Sequence, residues 1–397
     1  MIESVQIQNF KSIVDLKLEL GAFNVLIGEN GCGKSNILEA LAFGAAASAD
    51  KLDYEFLGSR GIRITSPEFM FSAFAGRRIK KVIRLDYKIG EENHYFNLIN
   101  KASNSRKWID SDVEKFRELE LSEILRQYRE GIDLIKKAKT PELKKITNKK
   151  IKEFEAVLIK LEKKVTEANA RLTTVSFRPD ISNFIIYSPE QSNLRKYKET
   201  NQIYPLGIKG EGLFQYLKEL GTNKKNDKLI QEIKTNLTTL DWFESFDFPE
   251  NDLQNEQYLN IRDKYLNPKL KYFDQRSTNE GFLFLLFYFT LFLSEETPQF
   301  FAIDNIDTSF NPKLCMQLIR NLVKLCKENG KQVLLTTQNP AVLDGLNLKD
   351  QDQKLFVVRR NEKGHTMSTE IKYKAERKLK LSDVWTSGFI GGLPENF

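Results

Sequence analysis

LIGENGCGKSNILEAL, residues 26–41, decides the fold. A short apolar run (FNVLIG) reads as a strand, GENGCGKS (28–35) as a glycine-punctuated turn, and NILEALAFGAAASA as a helix that starts at once. The turn fits G-x-x-x-x-G-K-[ST], and each residue type has a chemical reason. Gly28, Gly31 and Gly33 let backbone N–H groups curl round a β-phosphate without Cβ clashes. Lys34 offers a cation to the β- and γ-phosphates, and Ser35 offers a hydroxyl to Mg²⁺ at a helix N-terminus that faces anions. Glu29, Asn30, Cys32 and Asn36 complete the loop around the phosphates. A chance match in a glycine-containing turn is the alternative, and the strand before it and helix after it weigh against that. ATP with Mg²⁺ is the expected ligand, and GTP is not excluded by these residues.

A second stretch supports the first. FFAIDNIDTSFNP (300–312) runs four apolar residues into Asp304 and then turns polar. An aspartate ending a buried strand is where a phosphate-loop protein keeps its Mg²⁺ ligand, held directly or through a water. Asp304 is also what an ordinary strand end looks like, and the upstream loop tips the reading toward metal.

Around these two stretches the chain reads as α/β. VQIQNF and LKLEL alternate as strands, VIRLDYKI–GEEN–HYFNLIN reads as a hairpin turning at GEEN, and FIIYS (184–188) reads as a strand. IYPLGIKGEGLFQYLKEL (203–220) is a glycine-marked loop entering a helix. Downstream the pattern predicts strand 299–304, helix 312–328, strand 332–337, helix 340–346 and a hairpin about NEKG (361–364). The expected fold is a mainly parallel sheet covered by helices, with an antiparallel β subdomain. Residues 111–175 change character, being rich in Lys and Glu. Ile151, Phe154, Leu158, Leu161, Val165, Ala168 and Leu172 keep a heptad spacing, as do Leu121, Leu125, Tyr128, Ile132 and Ile135. This predicts an antiparallel helical hairpin inserted between an N-terminal part (1–110) and a C-terminal part (176–397).

Composition narrows the classes. With 397 residues and 41% hydrophobic content the chain can bury a large core, and 29% charged residues give it a charged surface. A net charge of +7 permits contact with nucleic acid without requiring it. Cys32, Cys315 and Cys326 have no metal spacing and no disulfide framework, and His94 and His365 are the sole histidines. MIESVQIQNF lacks the apolar region of a signal peptide, so a cytoplasmic location is expected. GFLFLLFYFTLFL (281–293) spans about 20 Å as a helix, short of the ~30 Å bilayer core, and is expected to be a buried core helix with no membrane role. Cys32 reads as a small residue that fits the loop, with an oxidation switch as the alternative.

IQNFKSI (7–13), LIGENGCGKSNILEAL, FFAIDNIDTSFNP and LLTTQNPAVLDGL (334–346) together resemble the RecF/SMC/OLD branch of the ABC-type ATPases. The resemblance covers most of residues 1–50 and 180–397, and the phosphate loop is its most specific part. It implies an ATPase head that dimerises head-to-tail, or forms a higher homo-oligomer. Each ATP would lie between one phosphate loop and the partner's signature motif. STNEGFLFLL (277–286) stands where that motif is expected, with Asn279, Glu280 and Gly281 in the Ser-x-Gly register and Ser277 as an offset alternative. A helix N-cap is the plainer reading of either residue.

Three departures from the family pattern point one way. Asn305 follows Asp304 where the family has a catalytic glutamate, Gln338 replaces the switch histidine, and Asn279 replaces the signature serine. An amide can hydrogen-bond a water or a phosphate but cannot accept a proton at neutral pH. Binding should survive and hydrolysis should be slow or absent, unless Asp307 or a partner residue supplies the base. Stand-alone ATPases of this branch include those of bacterial antiphage systems, Septu-like with PARIS-like as the alternative. That resemblance implies a sensor and scaffold for a separate effector, a nuclease, HNH-type favoured. The competing expectation is a RecF-like DNA-dependent ATPase of repair. Eleven lysines against four glutamates between Lys136 and Lys164 suit a DNA-phosphate track, a solvated helical face, or a docking surface for a partner or a second copy. LSDVWTSGFIGGLPENF at the end reads as a docking tail or as a segment packed on the sheet.

Overall fold

The computed structural model describes residues 1–75, 78–100, 108–111, 113, 179–197, 202–249, 259–376 and 379–393. Apart from residues 111 and 113, the inserted hairpin expected at 111–175 lies outside the described residues, as does the lysine-rich stretch 136–164.

An antiparallel sheet is built from β1 (Ser4–Phe10), β2 (Ile13–Glu19), β4 (Ile83–Ile89), β5 (Glu92–Ile99) and β6 (Ile109–Asp110), in the order β2-β1-β4-β5-β6. β4 and β5 form the expected hairpin, but the turn is shorter than GEEN. Gly90, with φ 59°, and Glu91 make the turn, and Glu92 pairs with Ile89. A glycine in the left-handed region allows a two-residue turn that matches strand twist, so Glu92 and Asn93 stay in the strand.

The second sheet carries the site. Its strands are β3 (Phe23–Ile27), β7 (Ile186–Tyr187), β11 (Phe300–Ile303), β12 (Gln332–Thr336), β13 (Gln353–Arg360) and β14 (Thr366–Glu370), in the order β14-β13-β3-β12-β11-β7. All pairings are parallel except the β13–β14 hairpin at NEKG. β3 comes from the N-terminal part and lies between two strands of the C-terminal part. A third, three-stranded sheet joins β8 (Phe243–Asp247), β9 (Asn260–Asp263) and β10 (Phe273–Asp274).

Strand alternation explains the layers. Val25, Ile27, Phe301, Ile303, Val333, Leu335, Leu355 and Val357 face one core. Leu26, Phe300, Ala302, Leu334, Phe356 and Val358 face the other. A parallel sheet with helices on both faces hides both sides, which is why its strands read as continuous apolar runs. The first core is filled by the helix Glu280–Leu293, buried from Phe282 to Leu293, and by one face of Pro312–Glu328. That settles GFLFLLFYFTLFL as a helix apolar all round because it is enclosed all round. The helix 312–328 ends as predicted, and the one predicted at 340–346 stops at Leu343. Across the sheet, Lys34–Ser48 packs between the parallel and antiparallel sheets. Among the described residues no helix is long and apolar enough to cross a membrane.

Candidate functional site

The phosphate loop joins β3 to the helix Lys34–Ser48, and its glycines are sterically required. Gly28 has φ 148°, and a methyl group there would lie 2.1 Å from the Val358 carbonyl oxygen. Gly33, the helix N-cap, has φ 110°, and a methyl group would lie 2.2 Å from Thr366 Oγ1. Because Gly33 brings no side chain, nothing from it caps the first-turn N–H groups, which remain available to an anion. Lys34 is 7% exposed, and its Nζ donates to Gly28 O (2.7 Å) and Glu29 O (3.0 Å). An ammonium has three donors, and the third reaches only Cys32 Sγ at 3.9 Å, a weak contact that a phosphate oxygen would outcompete.

Polar side chains brace the loop from behind. Thr366 Oγ1 donates to Cys32 O (2.8 Å) and meets Ser12 Oγ at 2.7 Å, and Asn36 Nδ2 donates to Ser12 Oγ (2.6 Å). Glu39, buried one helical turn deeper, pairs with Lys11 and Arg63. Arg360 Nε donates to Gly31 O (2.9 Å) at the tip. The Cys32 thiol is fully buried, and burial pushes its pKa up, which makes it a poor nucleophile and a poor redox sensor.

Sheet order brings Asp304 to this loop. β12 separates β3 from β11, so the ends of all three strands lie side by side. Ser35 Oγ donates to Asp304 Oδ2 at 3.0 Å. Two oxygens at that separation match the edge of a Mg²⁺ octahedron, about 2.9 Å for metal–oxygen bonds of ~2.0–2.1 Å. Serine hydroxyl and carboxylate are the hard donors Mg²⁺ takes, so the residues present fit the ion. Among the described residues no group of three or more His, Cys, Asp or Glu is placed to hold a metal ion.

The TTQNP loop after β12 organises both acids. Thr336 Oγ1 donates to Asp304 Oδ1 and accepts from Asn305 N (2.8 Å), while Thr337 Oγ1 donates to Asp307 Oδ1 (2.6 Å). Gln338 Nε2 donates to Asn30 Oδ1, bringing the switch position onto the phosphate loop. Asn305 is exposed at φ 58°, a backbone region that asparagine tolerates better than most residues. Asp307 is half-buried against Thr337. Its charge helps raise the pKa of the enclosed Tyr288 and of Cys315, so it faces this inner cluster.

The signature stretch stands apart. Asn279 caps the helix Glu280–Leu293, its Oδ1 accepting from Phe282 N (2.9 Å), which leaves its amide N–H₂ for another partner. Glu280 accepts from Ser309 Oγ (2.8 Å). Ser277 is committed to Asp274 through both its N (3.0 Å) and Oγ (3.0 Å). Among the described residues no hydrogen bond joins Asn279–Gly281 to Gly28–Asn36.

Four residues escaped the sequence reading. Thr336 and Thr337 hold the acids, and their signal was present in the doubled threonine ending an apolar strand. Ser188 follows β7, whose Tyr187 O accepts from Asp304 N (2.8 Å), so Ser188 ends the strand beside Asp304. Arg195 donates to Gln275 O (2.6 Å), Arg276 O (3.0 Å) and Thr278 O (2.9 Å), clamping the turn before the signature helix; nothing local in the sequence pairs residue 195 with 278.

Comparison with known proteins agrees with this architecture. The SMC head bound to the C-winged helix domain of ScpA superimposes with a TM-score of 0.53 at 13% identity, covering 94% of this chain and 98% of that one. The SMC head domain from Thermotoga maritima gives a TM-score of 0.47 at 11% identity, over 94% and 99%. At 13% identity the first likeness concerns the fold alone, that of an SMC head. An uncharacterised protein of Methanocaldococcus jannaschii, MJECL10, is 56% identical over 43 residues, which is 11% of this chain and 20% of that protein, so the match spans only about a fifth of the relative's length. The chain belongs to the ATPase family described as "AAA domain, putative AbiEii toxin, Type IV TA system", whose pattern it matches over residues 23–344.

Proposed function

We propose that this chain binds ATP with Mg²⁺ and acts as a nucleotide-gated sensor and scaffold for a separate effector, a nuclease, in bacterial antiphage defence. Hydrolysis is slow or absent. The observation that carries this reading is the split character of the site. The groups this reading assigns to the phosphates and Mg²⁺ are braced: the loop glycines, Lys34, and Ser35 against Asp304. The groups that would act on the γ-phosphate, Asn305, Gln338 and Asn279, are amides. Lys34 and the helix N-terminus hold the phosphates, the Ser35–Asp304 pair holds Mg²⁺, and Gln338 orients Asn30 at the loop tip. Bound Mg²⁺ would neutralise phosphate charge. None of the three amides takes a proton from water, and loss of a positioned base typically costs ~10²–10⁴ in rate.

In the dimer of this proposal the free amide N–H₂ of Asn279 and the bare Gly281 meet the partner's γ-phosphate, which suits their separation from the chain's own loop. The family description names a toxin of a toxin–antitoxin system, a two-component arrangement of the kind proposed here, and the SMC head of the comparison carries a domain of a second protein. The lysine-rich stretch 136–164 favours the second reading, a RecF-like DNA-dependent ATPase.

One experiment separates them: phosphate release by the purified protein with and without DNA, with Lys34→Ala as the blank, alongside nucleotide retained through gel filtration. Retained ATP with turnover no faster than the blank is the expected result. Turnover lost in Lys34→Ala and accelerated severalfold by DNA would overturn the scaffold in favour of the repair ATPase.

A further inference from the structure

The C-terminal segment lies outside the site described above, yet it touches both loops that build it. The helix Leu381–Thr386 is fastened at its start to the switch region: Ser382 donates from N (3.1 Å) and Oγ (2.8 Å) to Asp344, the residue that ends the short helix Pro340–Leu343 after Gln338. The chain then turns through Gly388 (φ 76°), Gly391 (φ 72°) and Gly392 (φ 79°) and returns to the phosphate loop. A methyl group on Gly392 would lie 2.6 Å from Val357 Cγ1, 3.5 Å from Gly28 Cα and 3.8 Å from Trp385 Nε1. Gly28 is thus held between the β13 backbone on one side and Gly392 on another. Trp385 fills the space beneath at 3% exposure, and its indole N–H has no acceptor among the described residues. A buried donor without a partner is costly, and it marks a contact that the packing of Gly392 and Trp385 imposes.

We propose that residues 381–393 form a strap that holds the phosphate loop in its nucleotide-binding shape and ties it to the loop carrying Gln338. Of the two expectations for the C-terminal tail, this takes the packed segment and gives it a positioning role. The proposal rests on reading Gly28–Ser35 as the nucleotide loop. Lifting the strap frees Gly28 on its open side and removes the Asp344–Ser382 tether, so the phosphate and switch loops lose a shared support.

Two neighbouring glycines provide the test. Gly391 and Gly392 have nearly the same positive φ, so alanine strains the backbone equally at both. Gly391 has nothing within 4 Å of the added methyl, whereas Gly392 meets Val357 and Gly28. Titration with a fluorescent ATP analogue should show Gly392→Ala at least tenfold weaker than Gly391→Ala, with similar melting temperatures. Amide hydrogen exchange on nucleotide-free protein should be faster at Asn30–Ser35 in Gly392→Ala alone. Should Gly392→Ala fail to fold, Ser382→Ala, which cuts one tether bond, should speed nucleotide release severalfold. Equal affinity and equal loop exchange in the two glycine variants, or unchanged release in Ser382→Ala, would overturn the strap. Wild type that binds no ATP would instead sink the nucleotide reading, and the exchange comparison would still decide whether the segment braces the loop.

Discussion

Replacing Asn305 by glutamate puts the proposed function at its most exposed point. The residue follows Asp304 at φ 58°, and its backbone N–H is already held by Thr336. Left-handed backbone costs an ordinary L-residue about 1–2 kcal/mol, a cost asparagine partly escapes. Asn305→Glu should therefore lose about 1 kcal/mol of stability. With an unfolding entropy of ~2.1 cal/mol/K per residue, that lowers the melting temperature by only about 1 °C. The gain is catalytic: a carboxylate in the base position should raise ATP turnover about tenfold or more, within the ~10²–10⁴ range of a positioned base. Asn305→Gln is the matched control, with the same length and the same backbone cost but no proton acceptor. Steady-state phosphate release, blanked with Lys34→Ala, should rise in the glutamate variant alone, and its ATP-bound oligomer should be shorter-lived. If glutamate and glutamine variants turn over ATP at the same rate, position 305 does not face the attacking water, and the explanation of slow hydrolysis from these amides fails.

Three further outcomes follow from the geometry. Thr336→Val deletes the hydroxyl shared by Asp304 and Asn305 N; it should cost about 3 kcal/mol of stability and require at least tenfold more Mg²⁺ for nucleotide binding, and an unchanged Mg²⁺ titration would contradict the role given to it. Arg195→Lys keeps the charge but loses the fork on the signature turn, so it should bind ATP normally yet not associate; mixing it with Lys34→Ala protomers should restore association through one intact composite site, seen by light scattering, and a silent mixture would argue against that site. Lys331, 2% exposed, donates to Ser294 O (2.7 Å) and Thr297 O (3.0 Å), and burial lowers its pKa to about 8. The unfolded chain then holds more protons between pH 8 and 10.5, so the cost of burying this ammonium disappears as pH rises through that window. The stability difference between wild type and Lys331→Met, measured by denaturant unfolding, should move in favour of wild type by about 3 kcal/mol over that window; a constant difference would refute the shift.

The sequence was most informative where one residue type has one physical reason to be present. Gly28 and Gly33 could be read because nothing larger fits beside Val358 and Thr366. The apolar runs ending at Ile27, Ile303 and Thr336 could be read because strands covered on both faces have no polar alternation. Asp304 gained its meaning from the loop upstream. What stayed hidden depends on long-range register. Thr336 reaches Asp304 only because β12 lies between β3 and β11, and Arg195 reaches Thr278 across 83 residues. The sheet β8-β9-β10 stayed hidden because its strands are short and one carries an irregularity between Phe243 and Ser245. Asn305 combines an amide side chain with a left-handed backbone, and the sequence displayed only the first.

The position of β3 also bears on how the chain is made. Asn24 donates to Val333 O across 309 residues, so the central strand of the site sheet emerges early and finds its neighbours last. At ~5–20 residues per second, synthesis leaves FNVLI without β12 for roughly 15–60 s. During that interval an apolar strand with two open edges must be kept from other chains, by the helix Lys34–Ser48 folding over it or by a chaperone. The sheet that carries the site therefore closes only once β12 has been made, and until then a nascent chain cannot hold Asp304 at the end of β11 beside its phosphate loop.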